Sequence, residues 1–194
     1  MSSIFIDRLD KLYKVIDSSG YDGFYITNLT NIRYLTGFTG SAGLLIVYKN
    51  ESFFYTDGRY IQQSKEQVTD AKVTIINSGY FQSVKDSNIF DNQDLNIAFE
   101  SQHMSFSYYS DLLNFFPNIN WIATDSLIEN IASVKDATEI ESLKTAIEIT
   151  DDVFTKIIPE IQAGVTEKYI ATRISYLFKM NGAEGDSYES IIAG

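Results

Sequence analysis

Between Phe5 and Ala123 the chain alternates apolar stripes of helical period with short continuous apolar runs, and that alternation restricts it to a sheet with helices packed upon it. Phe5, Leu9, Leu12 and Ile16 recur at helical spacing, and Ser18-Ser19-Gly20 stops the run. Phe24-Tyr25-Ile26 reads as a strand. A polar turn at Thr27-Asn28 and a brief helix through Ile32 and Leu35 follow it. Leu44 to Tyr48 and Phe53 to Thr56 are two strands joined by Lys49-Asn50-Glu51, a connection short enough to make them antiparallel. A polar helix running to about Gln67, strands at Lys72–Ile76 and Leu95–Phe99, a helix around Tyr108 to Phe116 and a strand at Ile119–Ala123 complete the series. The reading is an α/β domain, a mixed β-sheet flanked by helices over residues 1–132.

From Ser133 the texture becomes helical. Asp136, with Glu139 three residues on, has the form of a capping box, and Ile140, Leu143, Ile147, Phe154 and Ile158 form a stripe that ends near Pro159. Thr166 caps a second helix striped by Ile170, Ile174, Leu177 and Phe178 and stopped by Asn181-Gly182. Ile191-Ile192 is read as the start of a strand. Residues 133–194 lack a sheet to cover these stripes, so they read as the incomplete opening of a second domain, loosely held or buried by self-association.

Composition removes whole classes of chemistry. The chain has no cysteine, which excludes disulfides, thiolate metal sites and cysteine nucleophiles, and its single histidine leaves no Ser/His/Asp set to defend. A net charge of −11 opposes binding to nucleic acid or to an anionic membrane. Without a basic leader or a long apolar run, a cytoplasmic location is expected.

Several motifs have a bland reading beside a functional one. Gly37-x-x-Gly40-x-x-Gly43 lacks the lysine of a phosphate loop and the Gly-x-Gly of a dinucleotide turn, so tight packing explains it better. Glu100 and His103 are too few to hold a metal. Asp151-Asp152 and Glu139/Glu141 read as solvated helix faces, and Tyr108, Tyr109, Phe115, Phe116 and Trp121 as core. Asp57-Gly58-Arg59-Tyr60 lies where a strand passes into a helix, a place from which side chains reach ligands or neighbours. Its bland alternative is a local ion pair.

The string Asn31-Ile-Arg-Tyr-Leu-Thr-Gly-Phe-Thr-Gly-Ser-Ala-Gly43, followed by Tyr55-Thr-Asp-Gly-Arg-Tyr60, resembles the amino-terminal domain of Xaa-Pro aminopeptidases and prolidases, the creatinase-related "pita-bread" metallopeptidases. Val134 to Ala146 is similar to that family's interdomain helix. Gly164-Val-Thr-Glu167 and Gly182 to Gly194 are similar to the first helices and strand of its α+β catalytic domain.

The resemblance implies an N-terminal domain over 1–132 and a truncated catalytic domain over 133–194. It also implies metal-assisted hydrolysis of the bond before proline in short peptides, a homodimer, and a divalent pair of manganese, cobalt or zinc. The family's two Asp, one His and two Glu ligands are expected beyond Gly194, and no catalytic or metal-binding residue carries over to this chain. Asp186 matches no ligand position, and Tyr188 stands where Phe is commoner. The domain is expected to cover the active site and mediate dimer contacts, with Asp57, Arg59 and Tyr60 as the substrate- or dimer-contact candidates. The alternative is a non-catalytic module that binds protein partners, as in the histone chaperone FACT.

Overall fold

The computed structural model describes residues 3–90 and 94–193, and the chain divides into two compact units that part between Val134 and Lys135. The first holds a six-stranded sheet of β1 (Gly23–Ile26), β2 (Leu44–Tyr48), β3 (Glu51–Asp57), β4 (Lys72–Ile76), β5 (Leu95–Glu100) and β6 (Ile119–Thr124), in the order β4-β3-β2-β1-β5-β6. Only β2 runs antiparallel to its neighbours, so the sheet is mixed. The carboxyl ends of the other five strands therefore share one edge with the start of β2. Lys49 and Asn50 both adopt positive φ, the turn that matches the twist of a two-residue hairpin between β2 and β3.

Helices α1 (Ile4–Ser18), α2 (Leu29–Thr36), α3 (Ile61–Gln67), α4 (Tyr80–Asp86), α5 (Phe106–Phe115) and α6 (Leu127–Ser133) cover the sheet. Successive strand side chains point to opposite faces and divide the core in two. Leu9, Leu12 and Ile16 of α1 and Ile32 and Leu35 of α2 bury against Phe24, Ile26, Leu45 and Phe54. On the other side Val84 and Leu112 bury against Tyr25, Ile46, Tyr55, Ile97 and Phe99. Phe116 and Trp121 belong to this second core, Tyr108 and Tyr109 pack on it, and Phe115 lies at the surface, stacked on Phe81. Helices α4 and α6 lie where no helix was expected.

The second unit contains α7 (Ala137–Ile157) and α8 (Glu167–Met180), joined through a 3-10 turn over Ile158–Glu160. Asp136 accepts from the backbone of Thr138 and Glu139, and Glu139 accepts in return from the Asp136 backbone at 3.1 Å, which closes the expected capping box. The Thr166 side chain caps α8.

The buried face of α7 differs from the expected stripe. Val153 and Ile157, with Ile149 beside them, pack against Ile170 and Leu177, whereas Ile140, Leu143, Ile147, Phe154 and Ile158 are exposed. Phe154 and Ile158 each follow a buried residue and so stand about 100° further round the helix. The strand expected at Ile191-Ile192 does not form: Ile192 packs on the helix pair and Ile191 is exposed. A strand requires a neighbouring backbone to pair with, and the described residues of this unit provide two helices.

Candidate functional site

The side chains with chemical potential gather where the parallel strands end. Asp57 closes β3, and its carboxylate caps the following 3-10 turn by accepting from the Arg59 backbone N–H at 3.0 Å. Arg59 then turns back on Asp57 as a fork, with Nε–Oδ1 at 2.9 Å and Nη2–Oδ2 at 2.7 Å. The pair holds the Asp57 carboxyl below its ordinary pKa and raises that of Arg59. Arg59 also lies 5.2 Å from the Tyr60 ring centre. The three candidate residues thus form one local, solvent-facing cluster.

Tyr60 connects this corner to the small-residue loop. Its Oη accepts from the Ser41 backbone N–H at 3.1 Å and lies 2.7 Å from Ser41 Oγ, and these bonds lower the phenol pKa. The edge of the Tyr60 ring meets Phe38 at 5.4 Å between centres. Gly37, at φ 78°, ends α2 in the left-handed conformation. At Gly40 a Cβ would stand 2.3 Å from Phe38 Cζ and 2.9 Å from Tyr60 Cδ1, and at Gly43 one would stand 2.9 Å from Phe54 Cε2. The glycines make room for aromatic rings, in agreement with the packing explanation of the motif.

Sequence reasoning missed a second hub on the same edge. Glu100 ends β5 with 8% of its surface exposed. Its Oε2 accepts from the backbone N–H groups of Thr27 and Asn28, both at 2.8 Å, and its Oε1 from Asn31 Nδ2 at 2.7 Å. Burial raises its pKa, against the lowering effect of these donors and of His103. A carboxylate closing the apolar run Leu95–Phe99 was the available signal. His103, in the turn after β5, is exposed.

Among the described residues no three His, Asp or Glu side chains converge so as to hold a metal ion, so the side chains present do not fit a divalent pair. Nor is any helix among them long and apolar enough to cross a membrane.

The mixed sheet flanked by helices agrees with comparison to known proteins. The model of the creatinase/prolidase N-terminal domain matches residues 8–134, and the chain belongs to that family. The metallopeptidase family M24 model matches residues 141–194. A Bacillus subtilis relative called uncharacterized peptidase YqhT is 30% identical over 186 residues, 96% of this chain and 52% of the relative. The Xaa-Pro dipeptidase of Pyrococcus furiosus is 29% identical, with the same shares covered. In three dimensions the chain is similar to a Xaa-Pro dipeptidase from Bacillus anthracis, with TM-score 0.83 and 28% identity over 95% of this chain and 51% of that one. The chain spans about half the length of the curated relatives it matches.

Proposed function

We propose that this chain is the N-terminal part of a metal-dependent Xaa-Pro peptidase that hydrolyses the bond preceding proline in short peptides. In this reading residues 1–132 cover the active site and mediate contacts in a homodimer. Residues 133–194 begin the catalytic domain, whose metal-binding residues lie outside the chain. The Asp57–Arg59–Tyr60 corner is the part that contacts substrate or a second subunit, and the protein works in the cytoplasm.

One observation carries the reading: two family models, an N-terminal domain and a metallopeptidase, match in order along a single chain. Relatives with Xaa-Pro peptidase names support it over 95–96% of the chain. They give no support to the histone-chaperone alternative. The ion pair that orients Arg59 leaves its side chain 66% exposed, accessible to a carboxylate of a peptide or of another subunit.

The test compares hydrolysis of an Xaa-Pro dipeptide, with manganese, by this chain and by a version extended through the half that its relatives possess. The extended version is expected to turn over and this chain to be inert. An extended version that leaves Xaa-Pro dipeptides intact with manganese, cobalt and zinc alike overturns the proposal.

A further inference from the structure

The connection after β1 leads across to β2 on one side, whereas the connection after β5 leads to β6 on the other. Between the carboxyl ends of such a strand pair the polypeptide diverges and leaves a crevice, which in open α/β sheets is where ligands bind. Here the crevice is a cavity of about 380 Å³ lined by Thr27, Gly43, Tyr80, His103, Met104 and Tyr108, among others. The volume suits a compact small molecule. Among the described residues its lining includes His103 but no Asp, Glu, Lys or Arg, in a chain with a net charge of −11.

A second observation lies in the wall. Tyr108 Oη is satisfied by Tyr25 Oη at 2.9 Å, but the neighbouring Tyr80 Oη is buried with no hydrogen-bond partner among the described residues. A buried hydroxyl without a partner is costly to keep and calls for an explanation. Tyr80 lines the crevice and is otherwise only half-buried, so a change of rotamer about its Cα–Cβ bond can carry that hydroxyl to the crevice. The phenol is pushed up to about 12 by burial, so it stays protonated and donates.

We propose that this crevice is a binding site for a small uncharged ligand, an aromatic or alicyclic ring bearing one hydrogen-bonding oxygen, which stacks on the Tyr80 and Tyr108 walls and pairs with the Tyr80 hydroxyl. Burial of a ring against these walls supplies the affinity, and the single polar contact fixes its orientation. No carboxylate, ammonium or guanidinium in the described wall offers an ionised ligand a fixed counter-charge, which favours neutral ones. The proposal goes beyond the peptidase reading, and every residue that lines the site belongs to the first unit.

Phenol is the probe. It is titrated into the isotope-labelled chain while backbone amide shifts are followed, with benzoate as the charged counterpart. The expected result is saturable shifts confined to the crevice, at Gly43, Met104 and Ser105, with a dissociation constant of about 1 mM. Benzoate should bind more weakly. Tyr80→Phe keeps the ring and should weaken phenol about fivefold, the loss of one neutral hydrogen bond. Ala42→Leu fills the cavity and should abolish saturation in a chain whose circular dichroism is unchanged. Shifts that do not saturate or that map elsewhere overturn the proposal. So does equal affinity in Tyr80→Phe, tighter binding of benzoate, or a crevice that takes up water alone.

Discussion

The side-chain amide of Asn31 donates to Glu100 Oε1 at 2.7 Å and, through the same nitrogen, to Glu129 Oε1 at 2.7 Å. A residue of α2 thereby joins the end of β5 to α6, across 69 and 98 positions of sequence. Removing the Glu100 carboxylate leaves the Thr27 and Asn28 N–H groups and one N–H of the Asn31 amide without their acceptor. Glu100→Ala is therefore expected to destabilise the first unit by about 3 kcal/mol, the cost of orphaning buried donors. Urea unfolding of the two proteins measures it, and a difference below about 1 kcal/mol contradicts the role of the hub.

Glu100 also predicts a pH dependence. Burial raises its folded pKa above the ordinary 4.5. The folded chain therefore holds this proton in a window where the unfolded chain has released it. The resulting stability is complete below the unfolded value and is lost as pH rises through the folded one. The groups facing it are the backbones of Thr27 and Asn28, the Asn31 amide and, at longer range, His103. A carbon-detected titration of the Glu100 carboxyl should give a midpoint above 4.5; one at or below that value shows the donors outweighing burial.

The glycine loop separates packing from ligand binding by a simple contrast. Gly40→Ala drives a methyl into Phe38 and Tyr60, and is expected to cost about 2 kcal/mol as overpacking. Gly58, in the neighbouring corner, has nothing within 4 Å of an added Cβ and no positive φ. Gly58→Ala should leave the midpoint of thermal unfolding nearly unchanged. Equal effects at the two positions contradict the account of the loop.

Most of the sheet was legible in the sequence because its strands are short apolar runs with turn residues between them. Asp57-Gly58-Arg59-Tyr60 was legible as a strand-to-helix corner for the same reason. Helices α4 and α6 were not, since each has seven residues with one buried side chain, Val84 or Ile128, and neither N-cap makes a side-chain hydrogen bond. Their apolar residues, Phe81 and Val84 or Leu127 and Ile131, span a single turn, too short a stripe to mark a helix without a cap. The Glu100 hub was hidden for a different reason: its partners are distant in sequence, and only the parallel pairing of β1 with β5 brings Thr27 and Asn28 beside it. The exposed α7 stripe has helical period, and period cannot distinguish which of two adjacent apolar faces meets α8.

The central claim is that this chain contributes the cover and entry to a catalytic centre whose metal ligands lie elsewhere, and metal stoichiometry tests it most directly. The chain, and a version extended through the half that its relatives possess, are equilibrated with manganese, cobalt or zinc, dialysed, and analysed for bound metal by mass spectrometry. The account predicts a pair of ions retained by the extended protein and no stoichiometric ion retained by this chain. An ion held tightly at one equivalent by these residues alone contradicts it.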